Sequence, residues 1–182
     1  MEIYEPSEDS HLLSKSVKDY LKSLSNKKIK ILDIGSGSGI QAKACKESGF
    51  DNLLTSDINP DSVLLLKKQG FKSKHSNLFE KIKSKFDLII FNPPYLPEDE
   101  LEPKNSQLAT TAGKNGYEII IKFLKQAKSH LNKQGVIILL FSSLSQPLII
   151  KKQAKDLGYR LKLINKQKIF FEELYIYELC KN

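Results

Sequence analysis

Residues 30–39 read KILDIGSGSG, a short apolar run that ends in an acid and leads into glycines at alternate positions. The apolar run predicts a buried strand over residues 30–34. Gly35, Gly37 and Gly39 let the backbone turn sharply and approach a ligand where a Cβ would clash. The spacing puts Ile40 where a dinucleotide fingerprint has its third glycine, so it fits that motif poorly. The stretch therefore predicts the first strand of an α/β fold followed by a glycine-rich binding loop.

Strands and helices alternate around this stretch in the manner of repeated β-α units. An amphipathic helix over residues 7–24 precedes it. The pattern downstream predicts helices over 39–48, 60–69, 116–131 and 146–157, and strands over 52–58, 71–75, 86–91, 136–141, 159–164 and 169–179. These units predict a doubly wound, mostly parallel sheet with helices on both faces and an antiparallel last strand at the sheet edge. The irregular stretch over 92–115 is long enough to be functional.

Length and composition predict one domain over residues 1–182, with an N-terminal helix over about 7–25 and a main core over about 28–182. The acidic start, MEIYEPSEDS, lacks the apolar segment of a signal peptide, and no apolar run reaches the roughly 20 residues of a membrane span. We therefore expect a cytoplasmic protein without a membrane segment. Cys45 and Cys180 lie far apart and the histidines are isolated, so no metal site is expected.

The net charge of +8 raises the question of nucleic-acid binding. All of the 29 basic residues except Arg160 are lysines, whereas arginine supplies the bidentate fork that grips phosphate and guanine. The lysines are spread along the chain, with small groups at 27–30 and 81–85. This distribution predicts at most a weak attraction to RNA, and nucleic acid is not expected as the direct substrate.

A second acid, Asp57, ends the second predicted strand, 24 residues after Asp33. Ligands of doubly wound sheets bind beyond the carboxyl ends of the strands, and an acid there can accept hydrogen bonds from both hydroxyls of a ribose. Asp57 could also cap the helix that begins near Pro60. The neighbouring glycine loop favours the ribose role.

The fourth predicted strand, FDLIIF, leads directly into Asn92-Pro93-Pro94-Tyr95. The prolines fix φ and stiffen the turn. The side-chain carbonyl of Asn92 and the backbone carbonyl of Pro93 then offer two acceptors that match the two donors of a planar NH₂ group. Tyr95 can stack on such a group, and orientation matters more here than a histidine or cysteine nucleophile. We interpret the tetrapeptide as a substrate-binding and catalytic turn, with Asn92, Pro93 and Tyr95 as catalytic residues, for a planar amino or amide nitrogen.

Asp33 and the glycine loop together resemble the first signature of the class I, Rossmann-like methyltransferases. The resemblance implies a seven-stranded fold and S-adenosyl-L-methionine as cofactor, with S-adenosyl-L-homocysteine as product. It implies that the loop lies under the methionine part of the cofactor and that Asp57 binds the ribose. Asn77 and Leu78 fall where the family contacts adenine, although many members have aspartate in place of Asn77.

Three further segments resemble the HemK-like protein glutamine methyltransferases of the archaeal and eukaryotic type. Residues 4–10, YEPSEDS, resemble the signature Y-E-P-x-E-D-[ST]. Residues 112–116, AGKNG, resemble an A-G-x-[ND]-G segment, and residues 171–174, FEEL, take the place of an E-x-L-like element. Bacterial relatives carry a helical domain before the catalytic one, whereas about thirty residues precede the first strand here, which favours the minimal type.

This resemblance implies a substrate, a partner and a set of cofactor contacts. The substrate would be the glutamine of the Gly-Gly-Gln motif of a class 1 translation release factor. The partner would be a small zinc-binding activator protein, forming a heterodimer at the sheet edge near residues 71–75. The cofactor contacts would be Ser10, Asp33, Gly35, Asp57, Asn77, Leu78 and Asn92, with Asn92 also binding substrate. Glu8 and Asp9 stay open between a role at this site and support of the first helix.

Three alternatives to a glutamine methyltransferase remain open for the function of this chain. Enzymes acting on adenine and other nucleobase amino groups share the tetrapeptide, so an RNA or DNA methyltransferase is one alternative. A protein lysine methyltransferase is another, because some relatives act on lysine. The third is a non-catalytic module that keeps cofactor affinity and acts through a partner.

Overall fold

The structure is a computed structural model that describes residue 3, residues 5–98 and residues 111–182. The strands of these residues are β1 Ile31–Ile34, β2 Leu53–Asp57, β3 Lys72–His75, β4 Phe86–Phe91, β5 Leu131–Ser142, β6 Tyr159–Ile169 and β7 Glu172–Lys181. They form one seven-stranded sheet in the order β3-β2-β1-β4-β5-β7-β6. Strands β1 to β5 pair in parallel, and β7 is antiparallel to both β5 and β6. The predicted fold class is confirmed.

Helices cover both faces of this sheet. The side chains of its central strands alternate between the two faces, and on each face they form a buried cluster with the helices. The helices are α1 Glu8–Lys22, α2 Ile40–Glu47, α3 Pro60–Lys68, α4 Glu118–His130 and α5 Pro147–Asp156, with a 3₁₀ turn at Ser143–Ser145. In β4, Leu88 and Ile90 pack with α1 and α2, whereas Ile89 and Phe91 pack with α4 and α5. A strand buried on both faces reads as a continuous apolar run, which is why β4 could be predicted. In the part of the chain described, no helix is long and apolar enough to cross a membrane.

The N-terminal helix packs on the sheet through one apolar stripe. Leu13, Val17 and Leu21 recur at intervals of four residues, and all three are fully buried. They join the cluster that contains Ile31 of β1 and Ile138 of β5. This packing brings the start of α1 to the carboxyl ends of the parallel strands, where the glycine loop and the Asn92-Pro93-Pro94-Tyr95 turn also lie.

The C-terminal strands differ from the prediction in two respects. The antiparallel last strand, β7, lies inside the sheet, and β6 forms the edge. The reason is that β6 and β7 form a hairpin about Phe170 and Phe171, so that β7 pairs on both sides. Strand β6 also continues through residues 165–168, predicted as a gap. Their polar sequence, NKQK, is compatible with an exposed edge strand that needs no apolar alternation.

Two predicted features fall partly outside the described residues. Tyr4, the first residue of the N-terminal signature, is one of them. Residues 99–110 of the irregular stretch are the other.

Candidate active site

A cleft of about 780 Å³ opens at the carboxyl ends of β1, β2 and β4. The start of α1, the glycine loop and the loops after β2, β3 and β4 contribute its walls. Residues 111–113 and the first turns of α4 close the remaining side. Ligands of doubly wound sheets bind at this position, so the cleft is the candidate active site.

The glycine loop is joined to the end of β2 through Asp57. The backbone N–H of Gly37 donates to Oδ2 of Asp57 at 2.8 Å, and that of Asn59 donates to Oδ1 at 2.8 Å. Burial raises the pKa of Asp57, while these backbone hydrogen bonds act in the opposite direction. Asp57 is therefore a fixed acceptor that faces the cleft beside the loop.

Asp33 is buried at the end of β1, with 1% of its surface exposed. Burial raises its pKa to about 7, against a hydrogen bond from Ser36, and repulsion from Asp57 adds to the rise. Its Oδ2 is buried and has no hydrogen-bond partner among the described residues. Such a carboxyl favours a nearby cation, because a positive charge would stabilise its ionised form.

The loop after β3 presents Asn77 and Leu78 to the cleft. The hydroxyl of Ser76 donates to the carbonyl of Leu78 at 2.9 Å and accepts from the backbone N–H of Lys81 at 3.0 Å. Leu78 has a φ of 49°, a conformation that a non-glycine residue rarely adopts. Such conformations persist where the surroundings fix them, and they cluster at ligand sites.

Asn92 is held by the start of α1. Its Nδ2 donates to Oδ2 of Asp9 at 2.9 Å and to Oγ of Ser10 at 3.3 Å. Its Oδ1 is buried and has no hydrogen-bond partner in the described part of the chain. The two hydrogens of the amide are thus used within the protein, while its oxygen is left as an acceptor at the cleft.

The segment AGKNG supports the turn that contains Tyr95. The backbone N–H of Ala112 donates to the carbonyl of Leu96 at 2.9 Å. A Cβ on Gly116 would lie 2.8 Å from the carbonyl oxygen of Tyr95, so only glycine fits there. The same carbonyl accepts a hydrogen bond of 2.9 Å from the hydroxyl of Ser145. The Tyr95 turn is therefore fixed from both sides.

The turn in AGKNG is itself closed by Glu118. Its Oε1 accepts from the backbone N–H of Asn115 at 3.0 Å and from Nδ2 of Asn115 at 2.8 Å. Burial opposes ionisation, but the hydrogen bonds from Asn115 and Tyr117 outweigh it, and the pKa of Glu118 is lowered. This carboxylate is charged at neutral pH and lines the cleft.

The cleft is acidic although the chain is basic. Among the described residues that line it, Asp9, Asp57, Glu98 and Glu118 carry carboxylates, and Lys122 is the one cation. The whole chain has a net charge of +8. A cleft of this charge favours a cationic ligand and repels phosphate.

Most of the predicted site residues come together in this cleft. Lining it are Ser10, Gly35, Gly37, Asp57, Asn77, Leu78, Asn92, Pro93, Pro94 and Tyr95. Asp33 and Gly39 are not among the described lining residues. Gly39 is the N-cap of α2, and a Cβ there would lie 2.8 Å from Cδ2 of Leu66, so the glycine allows Leu66 of α3 to approach the end of the loop.

Several residues that shape the site could not be identified from the sequence. Gln41 donates from Nε2 to the carbonyl of Ser10 at 3.0 Å, and Ser76 and Ser145 fix the two loops described above. No sequence pattern distinguishes them from other polar residues. Glu118 follows Asn115 by three residues, a spacing typical of a helix start, and that signal could have identified it.

Comparison with known proteins agrees with this geometry. The methyltransferase small domain family model matches residues 11–157. A protein of Methanocaldococcus jannaschii that bears the name protein N5-glutamine methyltransferase is 38% identical over 183 residues, covering 96% of this chain and 90% of that protein. Methyltransferase HEMK2 of Mus musculus is 29% identical over 171 residues, covering 86% of this chain and 79% of that protein.

Among solved structures, the chain matches one from the E. cuniculi Mtq2–Trm112 complex, described as responsible for the methylation of the eRF1 translation termination factor. The TM-score is 0.81 at 22% identity, and the match covers 100% of both chains. This likeness shows that the two chains share one fold. The chain therefore belongs to the methyltransferase small domain family and, within it, to the HemK-like protein glutamine methyltransferases.

Proposed function

We propose that this chain methylates the side-chain amide of a glutamine, in the Gly-Gly-Gln motif of a class 1 translation release factor, with S-adenosyl-L-methionine as the methyl donor. The observation that carries the proposal is the amide of Asn92. Its nitrogen is held by Asp9 and Ser10, and its buried oxygen has no partner among the described residues. A buried acceptor without a donor costs free energy, and an N–H of the substrate amide would remove that cost.

The cleft fits a cofactor with a nucleoside at one end and a positive charge at the other. The carboxylate of Asp57 is fixed by backbone N–H groups and lines the cleft, where its oxygens would also accept the hydroxyls of a ribose. Asn77 and Leu78 would contact the adenine, and Ser10, Gly35 and Gly37 would lie along the methionine part. Asp33 is buried beneath the glycine loop and would act on a positively charged group of the cofactor through its charge without touching it, and Gly39 would act through the packing of the loop.

When bound, the cofactor supplies an electrophilic methyl group on a positively charged sulfur. The residues of the turn would then prepare the acceptor nitrogen. Oδ1 of Asn92 would accept one N–H of the substrate amide and the carbonyl of Pro93 the other, while Pro94 stiffens the turn and Tyr95 stacks on the planar group. An amide nitrogen is a weak nucleophile because its lone pair is delocalised. Two acceptors on its hydrogens would raise its electron density and stop its rotation.

The charges at the cleft favour a protein acceptor over a nucleic acid. Four carboxylates line the described part of the cleft, and they would repel a phosphate backbone. A glutamine side chain is neutral, planar and carries the two donors that the turn would hold. A lysine ammonium is tetrahedral and matches that geometry less well.

A small activator protein would pair with the exposed edge strand β3. This strand is the first in the sheet order, and three of its four residues are exposed. Edge strands present unpaired backbone groups that another chain can bind. The structural likeness to a chain of the Mtq2–Trm112 complex supports such a partner, which we expect to bind zinc. A translation factor as substrate implies that the protein acts in the cytoplasm.

A labelled-methyl transfer assay with the co-expressed activator tests the proposal. Release factor, tRNA, rRNA and DNA are offered in parallel, and mass spectrometry identifies the methylated residue. We expect label on the release-factor glutamine, and a loss of about 100-fold for Asn92→Ala with cofactor binding only partly reduced. Label on nucleic acid alone, or on lysine, would contradict the proposal. Full activity of Asn92→Ala would instead support a non-catalytic module.

A further inference from the structure

We propose that Asp9 is a positioning residue that sets the orientation of the Asn92 amide, an inference that rests on the proposed function. The two residues lie 83 positions apart in the chain, and their contact is the 2.9 Å hydrogen bond from Nδ2 of Asn92 to Oδ2 of Asp9. The role assigned to Asp9 is to leave Oδ1 of Asn92 facing the acceptor nitrogen.

Asp9 is turned inward from the first turn of α1, unlike its neighbour. Glu8 is exposed, whereas Asp9 has 4% of its surface exposed. Acids in the first turn stabilise a helix through its dipole, and an exposed acid such as Glu8 is sufficient for that effect. Burying a carboxylate is costly unless it is hydrogen-bonded. The burial of Asp9 therefore indicates a role beyond support of α1.

A carboxylate fixes the amide because it only accepts hydrogen bonds. The nitrogen of Asn92 must face it, since the amide oxygen in that place would put two acceptors 2.9 Å apart. Ser10 could not do this alone, because its hydroxyl can donate as well as accept and would tolerate either orientation. The charge of Asp9 also polarises the amide, which makes its oxygen a stronger acceptor.

Asp9 is itself held rigidly. Its Oδ1 accepts from the backbone N–H of Ser10 at 2.6 Å, and the carbonyl of Ser10 accepts from Gln41 at 3.0 Å. Leu13, one turn further along α1, is fully buried in the core. The orientation of Asn92 is thus set by the packing of α1 before any substrate binds.

Substitution by the isosteric amide makes the inference testable. In Asp9→Asn, the new side-chain oxygen still accepts from Ser10, so its NH₂ group faces Asn92. The amide of Asn92 then turns over and presents a donor where the substrate needs an acceptor. We expect kcat to fall about 100-fold with KM for the cofactor within about 2-fold of wild type. Glu8→Gln, on the exposed neighbour, is the control and should keep wild-type kcat.

The exchange of donor and acceptor is the sharper test. Asn92→Asp places two carboxylates against each other and should be nearly inactive. In Asp9→Asn/Asn92→Asp, the amide at position 9 donates to the carboxylate at position 92, whose other oxygen again faces the cleft. We expect at least about 10-fold recovery over Asn92→Asp alone. A double variant no better than Asn92→Asp, or a kcat of Asp9→Asn equal to that of Glu8→Gln, would overturn the inference.

A measurement without methyl transfer keeps this inference separate from the proposed function. The side-chain NH₂ protons of Asn92, followed by ¹⁵N NMR, should exchange slowly with solvent in the wild type and in Glu8→Gln. They should exchange at least about 10-fold faster in Asp9→Asn. If the wild type methylates none of the offered acceptors, the proposed function fails. The exchange rates of the Asn92 protons still show in that case whether Asp9 orients the Asn92 amide. Equal exchange in wild type and Asp9→Asn would overturn the inference.

Discussion

The backbone N–H of Gly37 donates a hydrogen bond of 2.8 Å to Oδ2 of Asp57, which joins the loop after β1 to the end of β2. The second carboxylate oxygen accepts from the backbone N–H of Asn59 at the start of α3. One side chain thus fixes two loops and also lines the cleft. A ribose role and a helix-capping role are the alternatives that the sequence offers for Asp57. In the structure the N-cap of α3 is Asn59, whose side chain accepts from the backbone N–H of Asp61, so the capping prediction is wrong, and the ribose role stays a prediction.

Asp57→Asn should weaken cofactor binding with little effect on chemistry. An amide can accept from only one of the two backbone N–H groups, so its NH₂ would face a donor. We expect the Kd for S-adenosyl-L-homocysteine to rise about 10- to 100-fold by calorimetry, with kcat at saturating cofactor within about 3-fold. Asp51→Asn, on an exposed acid before β2, is the control. Loss of turnover at saturating cofactor would contradict the ribose role.

The central sheet could be predicted because its strands are buried on both faces. The runs ILDI in β1 and FDLIIF in β4 are apolar enough to identify without tertiary information. Strand β6 could not be delimited, because an exposed edge strand carries polar residues that read as a loop. The position of β7 depends on pairing partners, which no local pattern encodes.

In the candidate site, too, local motifs could be predicted from the sequence, whereas contacts between distant segments could not. The glycine loop and the Asn92-Pro93-Pro94-Tyr95 turn are local motifs, and their residues share the cleft because parallel strands end at one edge. The contact between Asp9 and Asn92 depends instead on how α1 packs across the sheet, so the sequence left the role of Asp9 open. The bond from Ser145 to the carbonyl of Tyr95 is equally non-local.

Gly116→Ala should impair the enzyme without removing any reacting group. Gly116 has a φ of 80°, and a Cβ would lie 2.8 Å from the carbonyl oxygen of Tyr95. We expect a loss of about 2 to 3 kcal/mol in the free energy of unfolding and about 10-fold in kcat, because the turn must shift. Gly49→Ala is the matched control, since Gly49 has a φ of 82° and no atom within 4 Å of the added Cβ. It should lose about 1 kcal/mol and keep kcat, and equal kcat values for both variants would contradict the close-contact explanation.

The buried carboxyl of Asp33 should make stability depend on pH. Burial raises its pKa to about 7, so the folded chain binds this proton more tightly than the unfolded chain does. The stabilising contribution is complete below the unfolded pKa, near 4, and is lost as the pH rises through about 7. Relative to Asp33→Asn, the free energy of unfolding of the wild type should fall by on the order of 2 kcal/mol between about pH 5 and about pH 8. Urea unfolding at both pH values measures this, and Asp51→Asn should follow the wild type.

Ser73→Pro should block the binding of the activator at β3. The backbone N–H of Ser76 donates to the carbonyl of Asp57 in β2. Because alternate residues of a parallel strand bond the same neighbour, Lys72 and Lys74 also turn their backbone groups to β2, and Ser73 turns its own to the open edge. Proline at position 73 removes that outward N–H and leaves the pairing with β2 intact. We expect the Kd for the activator to rise at least about 10-fold, with S-adenosyl-L-homocysteine binding unchanged.

Ser73→Ala is the matched control for this substitution, because it removes the same hydroxyl and keeps the backbone N–H. It should bind the activator as the wild type does, by calorimetry or by co-purification of the two chains. If both variants lost the activator, the side chain of Ser73 would be the contact. If neither did, the partner would bind elsewhere than at the open edge of β3. Loss of binding in Ser73→Pro but not in Ser73→Ala identifies backbone pairing as the mode of assembly, since the two variants differ in the backbone N–H at the open edge.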